Sequence, residues 1–121
     1  MMKTDWLKDP ITFRELYLRQ IGFQELIGNT GIPKDDPDML AHHLLGMVTE
    51  IGEVAQADKR WKKNRRNDHY DRDEKVKEMA DVSIFLLNIM IYSGIDPDEM
   101  FKAINDKIKE NSDRYKKSLI K

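Results

Sequence analysis

The chain has 121 residues, enough for one domain with a hydrophobic core, and its formal net charge is only −1. This balance gives no overall field for nucleic acid or a membrane, and the lack of cysteine excludes disulfides, zinc–thiolate sites and thiol nucleophiles. No apolar run approaches the roughly 20 residues of a membrane span, and the N-terminus lacks the apolar segment of a signal peptide. We therefore expect one cytoplasmic domain over residues 1–121, with frayed ends at about 1–8 and 117–121.

Four helices are predicted, each opened by a residue pair that caps a helix N-terminus. The capping signals are three Asp-Pro dipeptides and one Asp with Glu three residues later: Asp9-Pro10, Asp36-Pro37, Asp96-Pro97, and Asp71 with Glu74. The expected helices span about residues 10–27, 37–62, 72–93 and 97–117, and no segment has the period-two alternation of a strand. Short connections between four helices predict an all-α fold, an antiparallel four-helix bundle.

One face of the first helix carries two glutamines among aromatic and apolar residues. At 100° per residue, Gln20 and Gln24 share this face with Phe13, Tyr17 and Ile27. The face is either a core stripe with two hydrogen-bonded glutamines or the wall of a pocket for a nucleobase. In the second interpretation, the aromatic rings contact the base and the amides bind its edge.

Two pairs of carboxylates are spaced so that each pair lies on one face of a helix. Glu50 and Glu53 lie in the second helix, and Glu78 and Asp81 lie in the third, each pair three residues apart. On antiparallel helices the four carboxylates can meet, and they would repel one another unless a divalent cation lies between them. Gly46, one turn before the first pair, is expected to leave room there for a ligand.

The third helix is apolar almost all the way round between residues 79 and 91, which predicts burial in the bundle or in a subunit interface. Asp81 lies within this run and is therefore expected to be buried, where an unpaired carboxylate costs several kcal/mol. The same pattern predicts a homo-oligomer that completes the bundle.

The two histidines of the second helix, His42 and His43, carry a weak signal for a metal site. No Glu-x-x-His motif occurs in the chain, so the signature of the di-iron carboxylate bundles is absent. We interpret both histidines as structural or surface residues.

The last helix combines an apolar side with a polar face beside it. Phe101, Ile104 and Ile108 are expected to pack inward. The polar face carries Lys107, Asn111 and Arg114, which we call the Lys-Asn-Arg trio. Surface charge and a clamp for phosphate explain this trio equally well.

Residues 59–66 form the one local charge cluster, with six basic side chains in eight. The segment has three interpretations: a solvated helix end, an arm that closes on a polyphosphate, or a contact for nucleic acid. In the second interpretation, Trp61 offers a stacking surface and Lys62 a cation to the substrate. The third is the weakest, because the rest of the chain supplies compensating acids.

Together these features resemble the all-α nucleoside triphosphate pyrophosphohydrolases, a superfamily that includes the MazG-type enzymes and the dimeric dUTPases. The matching features are Glu50-x-x-Glu53, Glu78-x-x-Asp81 at the start of an apolar helix, a basic segment with Trp61 between the pairs, and Lys107-x-x-x-Asn111-x-x-Arg114 in the last helix. The resemblance covers roughly residues 10–115, and the short chain is closer to the compact MazG-like branch.

This resemblance implies that all four carboxylates bind Mg²⁺, with Mn²⁺ as a substitute, and that Glu50 or Glu53 activates the attacking water. It implies that the Lys-Asn-Arg trio approaches the triphosphate, and that Gln20 and Gln24 line the base pocket. The implied reaction is hydrolysis between the α and β phosphates of a nucleoside triphosphate, which clears the nucleotide pool and yields a monophosphate and pyrophosphate. The expected assembly is a homodimer or homotetramer, without a membrane or nucleic-acid partner.

Two other functions stay open from the sequence. The first is a non-catalytic helical module of the same fold that binds a nucleotide or a protein partner; Mg²⁺-dependent melting and product release separate it from an enzyme. The second is a nucleic-acid binder that works through residues 59–66, for which the salt dependence of DNA affinity is the test.

Overall fold

The computed structural model describes residues 11–62 and 70–120, and these residues form four α-helices and no strand. The helices are α1 (Phe13–Leu26), α2 (Pro37–Ala57), α3 (Arg72–Ile91) and α4 (Pro97–Ser118). The prediction of an all-α helical bundle is confirmed. None of these helices is long and apolar enough to cross a membrane.

The capping signals fix three helix starts as predicted. The side chains of Asp36, Asp71 and Asp96 each accept a hydrogen bond from the backbone N–H three residues further on, at 3.2, 3.1 and 2.9 Å. Since such a bond satisfies one of the N–H groups that a helix leaves unpaired, each aspartate fixes its helix start locally. The first Asp-Pro dipeptide lies outside the described residues, and Thr12 caps α1 instead.

α2 ends five residues earlier than predicted, at Ala57. The next residue, Asp58, is extended, and its carboxylate binds both Arg60 and Lys75, at 2.8 and 2.9 Å. These hydrogen bonds, first from Arg60 and then from Lys75, hold the pKa of Asp58 well below its usual range. Because the lysine belongs to α3, a tertiary contact ends α2 where helix periodicity alone would continue it.

α2 and α3 form an antiparallel pair that makes the most extensive helix contact in the described chain. Along this pair, Gly46 lies against Phe85, and His43 lies against Asn88. Residues nearer the end of α2 therefore meet residues nearer the start of α3. This register brings residue 50 of α2 close to residue 81 of α3.

α1 packs on the same pair and runs parallel to α3. Gln20 of α1 bonds Asn88, and Gln24, one turn later, bonds Tyr92, one turn later in α3. The buried core lies at this end of the bundle and comprises Tyr17, Leu87, Met90, Ile91 and Tyr92. The carboxylate end of α3 is thus separated from the main core by about two turns.

Among the described helices, α4 approaches only α1 closely, and it does so through its first turns. The ring of Phe101 stacks on that of Phe13 with centroids 4.6 Å apart. Every residue from 101 to 120 is nevertheless exposed. The expectation of inward packing is therefore wrong in the single chain for Ile104 and Ile108, while Phe101 contacts Phe13 but stays 54% exposed. The reason is geometric: beyond its first turns, α4 has no described helix beside it to bury this stripe.

Gly46 is filled rather than open, contrary to the expectation that it leaves room for a ligand. A Cβ built on this residue would lie 2.7 Å from Cζ of the Phe85 ring, well inside van der Waals contact. The glycine therefore allows an aromatic ring of α3 to lie directly on the backbone of α2.

Gly46→Ala is expected to destabilise the protein, whereas Gly52→Ala on the same helix should stabilise it. A Cβ at Gly52 meets nothing within 4 Å, so this substitution gains the helix propensity of alanine, about 0.5–1 kcal/mol. At Gly46 the overlap with Phe85 should cost about 1–3 kcal/mol and outweigh that gain. Urea unfolding of both variants measures the difference, and similar stability for the two would contradict the packing described above.

Candidate active site

Three carboxylates from α2 and α3 converge at one place. Glu50, Glu78 and Asp81 each offer an oxygen, and these three oxygens all lie within 4.8 Å of one another. Glu50 and Glu78 are half-buried, and Asp81 is exposed. We call these three residues the acidic triad. Carboxylate oxygens at this spacing are the donor set that hard divalent cations such as Mg²⁺ prefer.

Burial and the neighbouring carboxylates both affect the ionisation of Glu78. Its pKa is raised above the ordinary value, first by desolvation and then by the negative charges of Asp81, Glu50 and Glu53. A raised pKa means that the folded chain holds a proton at this position more tightly than the free side chain does. A divalent cation would satisfy the same demand, so the donor set and its charge both fit a metal.

Without metal, wild type and Glu78→Gln should therefore differ in how their melting temperatures depend on pH. Because Glu78 holds its proton more tightly in the folded chain, the folded state loses stability as pH rises from about 4.5, the ordinary value, through the raised pKa. Glutamine cannot titrate, so the wild-type melting temperature should fall relative to the variant across this interval. Excess Mg²⁺ should reverse the difference above it, and parallel curves with and without the ion would contradict the coupling.

Glu53 is near the acidic triad but does not belong to it. Its side chain is exposed, and its charge contributes to the raised pKa of Glu78. The two pairs predicted from the sequence are thus brought to one end of the α2–α3 pair, with three carboxylates in mutual contact range and the fourth beside them.

The exposure of Asp81 contradicts the expectation that its apolar run buries it. α3 is covered by α2 and α1, and α4 does not approach it closely in the described chain. One side of the N-terminal half of α3 is therefore open. For a carboxylate that binds a metal and its substrate, this open side provides access.

A chain of polar side chains lies two turns from the acidic triad, where α1, α2 and α3 meet. Gln20 donates to Asn88 Oδ1 at 2.9 Å, and Asn88 Nδ2 lies 3.4 Å from His43 Nδ1. One turn further, Tyr92 donates to Gln24 Oε1 at 2.6 Å. Both predicted glutamines are thus engaged in hydrogen bonds at helix contacts; Gln24 is buried, and Gln20 is half-buried.

Two buried polar atoms of this region have no hydrogen-bond partner among the described residues: the hydroxyl of Tyr17 and Nε2 of His43. Such atoms are rare in native proteins, because an unmade buried hydrogen bond costs about 1–3 kcal/mol. The interpretation of His43 as a structural residue agrees with its burial, since only 6% of the residue is exposed.

The Lys-Asn-Arg trio lies on α4. In the described chain α4 contacts neither α2 nor α3, the two helices that carry the acidic triad. Lys107 and Arg114 both lie near Glu110, at 3.7 and 3.1 Å, in exposed pairs within the helix. Such pairs contribute little to stability, so both cations can exchange partners at low cost. The trio stays a prediction for phosphate binding.

The aromatic residue of the basic segment folds back on α2. Trp61 is exposed, and its indole N–H donates to the carbonyl oxygen of Ala55 at 3.0 Å. Lys62 Nζ lies 5.3 Å from the centre of the indole ring. The remainder of the segment, from residue 63 to residue 66, lies outside the described residues, so a substrate-covering arm stays a prediction.

Sequence reasoning did not predict the contact between the side chains of His43 and Asn88. Both lie on the same helix faces as the acids, seven residues from Glu50 and from Asp81 respectively. This spacing of two turns was the available signal, because residues seven apart share a face of a helix. When both helices carry a polar residue seven positions from a candidate ligand, the two polar residues are expected to meet two turns away from the ligand site.

Comparison with known proteins places these features in a family. A family model described as dUTPase matches residues 12–120, which is nearly the whole chain and includes every described helix. No sequence among the curated proteins matches the chain.

Proposed function

Since the chain belongs to this all-helical dUTPase family, we propose that it hydrolyses nucleoside triphosphates between the α and β phosphates, releasing pyrophosphate and a nucleoside monophosphate. The observation that carries the proposal is the convergence of Glu50, Glu78 and Asp81 from two helices, on the open side of α3. The family description makes dUTP the first substrate to test. A broader, MazG-like range of nucleotides stays a prediction.

The acidic triad would hold Mg²⁺, or Mn²⁺ in its place, and Glu53 would lie beside this ligand set. The bound ion would neutralise charge on the phosphates and leave the scissile bond open to attack. The half-buried positions of Glu50 and Glu78 restrict their side chains, which favours a preformed site.

Glu53 is the better candidate for the general base of the two glutamates on α2. Glu50 lies within the triad, whereas Glu53 is exposed beside it and is not one of the three converging carboxylates. In this role, Glu53 accepts a proton from the water that attacks the α phosphorus, and the bond from that phosphorus to the bridging oxygen breaks. Lys107 and Arg114 would then stabilise the negative charge on the leaving pyrophosphate.

Gln20 is proposed to bind the edge of the base, because its amide lies two turns along the bundle from the triad and keeps an oxygen outside the described hydrogen bonds. Gln24 supports this wall through Tyr92 and Asn29, which both donate to its side-chain oxygen. Trp61 and Lys62 stay predictions for contacts with the substrate.

We propose a homodimer or homotetramer, supported by apolar side chains that the single chain leaves in water. On α2, Leu45 and Val48 are 69% and 66% exposed, and the stripe of Phe101, Ile104 and Ile108 on α4 is also uncovered. Exposed apolar patches of this kind are typical of interfaces. Cytoplasmic localisation stays a prediction from the sequence.

The proposed function is tested with a panel of ribo- and deoxynucleoside triphosphates in Mg²⁺, in which pyrophosphate and orthophosphate are measured separately. We expect pyrophosphate from at least one nucleotide, with dUTP the first candidate, and no product in EDTA. Release of orthophosphate would indicate a different bond, and tight nucleotide binding without product would favour a non-catalytic module.

A further inference from the structure

The polar chain across the bundle has one direction in the structure, which follows from the orientation of its two amides. The amide nitrogen of Asn88 can only donate a hydrogen bond, and it lies 3.4 Å from Nδ1 of His43. In this orientation of the Asn88 amide, Nδ1 of His43 is the acceptor and the imidazole proton lies on Nε2, the buried atom that has no partner among the described residues. At the other end, Asn88 Oδ1 accepts from Gln20 Nε2 at 2.9 Å, so the orientation of one amide sets that of the next.

The surroundings of His43 favour this neutral form. Its ring stacks on Tyr92 with centroids 5.1 Å apart and planes 8° from parallel, and it lies 5.7 Å from the ring of Phe85. Burial, with the nearby His42, also lowers the pKa of His43. An imidazole in this aromatic layer has no described carboxylate bonded to it that would stabilise a charged ring.

Gln20 is the end of the chain that is not fully buried. Its Nε2 is directed to Asn88, and its Oε1 receives no hydrogen bond from the described residues. If the side-chain amides of Asn88 and Gln20 both flipped by 180°, the atom of Gln20 that faces away from Asn88 would be nitrogen instead of oxygen. Only the acceptor on His43 opposes this exchange, because an amide is nearly symmetric in shape.

We propose that His43, as the neutral tautomer with its proton on Nε2, is a positioning residue that fixes the amide of Asn88 and, through it, the amide of Gln20 for nucleobase discrimination. Gln20 then presents an oxygen acceptor to the substrate and favours a base edge that donates a hydrogen bond at that point. Uracil and cytosine differ in this property, since N3 of uracil carries a proton and N3 of cytosine does not. The inference rests on the proposed function only in that Gln20 meets the base.

The tautomer is tested directly by ¹⁵N NMR of the histidine rings in the protein without nucleotide, with His43→Gln used to assign the resonances. We expect a neutral His43 ring at pH 7 with the proton on Nε2. A ring that carries its proton on Nδ1, or on both nitrogens, would overturn the proposal irrespective of any enzymatic activity.

The effect on discrimination is tested by calorimetric binding of the non-hydrolysable α,β-imido analogues of dUTP and dCTP. His43→Leu removes the acceptor, and the ratio of the two Kd values should move toward one by about tenfold, which is about 1.4 kcal/mol. His43→Gln keeps an acceptor oxygen and should retain most of the wild-type ratio. His42→Gln, in the exposed neighbour, is the matched control and should leave the ratio unchanged.

A purely structural role gives a different result. In that case His43→Leu and His43→Gln would weaken both analogues equally and lower the melting temperature without changing the ratio, and the proposal would fail. It would also fail if neither analogue bound the wild type. Analogue binding with the expected ratios, but no turnover of dUTP, would instead reject the proposed hydrolysis and leave the role of His43 supported.

Discussion

Asp81→Asn is expected to remove both the stabilisation by Mg²⁺ and the hydrolysis of nucleotides. One carboxylate of the acidic triad becomes an amide, so the site loses a negative charge and its exposed carboxylate. Since a bound cation contributes several kcal/mol to the transition state, about 4 kcal/mol of loss corresponds to a decrease of about 10³-fold in kcat/KM. Steady-state pyrophosphate release measures this decrease.

Melting with and without Mg²⁺ gives a readout that does not depend on turnover. At a free concentration 100 times its Kd, the ion should stabilise the wild type by about 2.7 kcal/mol and the variant far less. Without metal, Asp81→Asn should melt at or above the wild-type temperature, because a repulsive charge beside Glu78 is gone. Asp73→Asn, which removes another acid of the same helix outside the triad, should respond to Mg²⁺ as the wild type does and keep its turnover.

Glu53→Gln is expected to separate metal binding from chemistry. If Glu53 takes the proton from the attacking water, its loss should decrease kcat by about 10²–10⁴-fold. The triad is intact in this variant, so most of the Mg²⁺-dependent rise in melting temperature should remain. Parallel measurements of kcat and of melting against Mg²⁺ concentration test both statements on one preparation.

Two outcomes would change the assignment of roles. If Glu53→Gln loses the Mg²⁺ effect as fully as Asp81→Asn, then Glu53 is a metal ligand and all four carboxylates act together. If Glu53→Gln keeps wild-type kcat, Glu50 becomes the candidate base, and its own variant should then lose turnover more than metal binding.

The parts of the fold that local chemistry determines were predictable from the sequence. Asp36, Asp71 and Asp96 cap their helices through hydrogen bonds within three residues, so the local capping signals were sufficient. The meeting of Glu50 with Asp81 was also predictable, because helical spacing places each pair on one face and antiparallel packing brings the faces together.

Features that depend on contacts between distant residues were not predictable in this way. The end of α2 is set by the bonds of Asp58 to Lys75, and the space at Gly46 is taken by Phe85 from another helix. Asp81 is exposed because α4 does not pack on α3. The position of one helix relative to another cannot be predicted from the periodicity of the sequence. The proposed role of His43 depends on the orientation of the Asn88 amide, 45 residues away. The sequence indicated only that His43 lies on the same helix face as Glu50.

The most direct measurement of the central claim is an anomalous difference map from crystals grown with Mn²⁺ and the α,β-imido analogue of dUTP. The account predicts a manganese peak at bonding distance from carboxylate oxygens of Glu50, Glu78 and Asp81, with the phosphates of the analogue on the open side of α3. A map with the analogue bound and manganese elsewhere, or with no manganese at the triad, would contradict it.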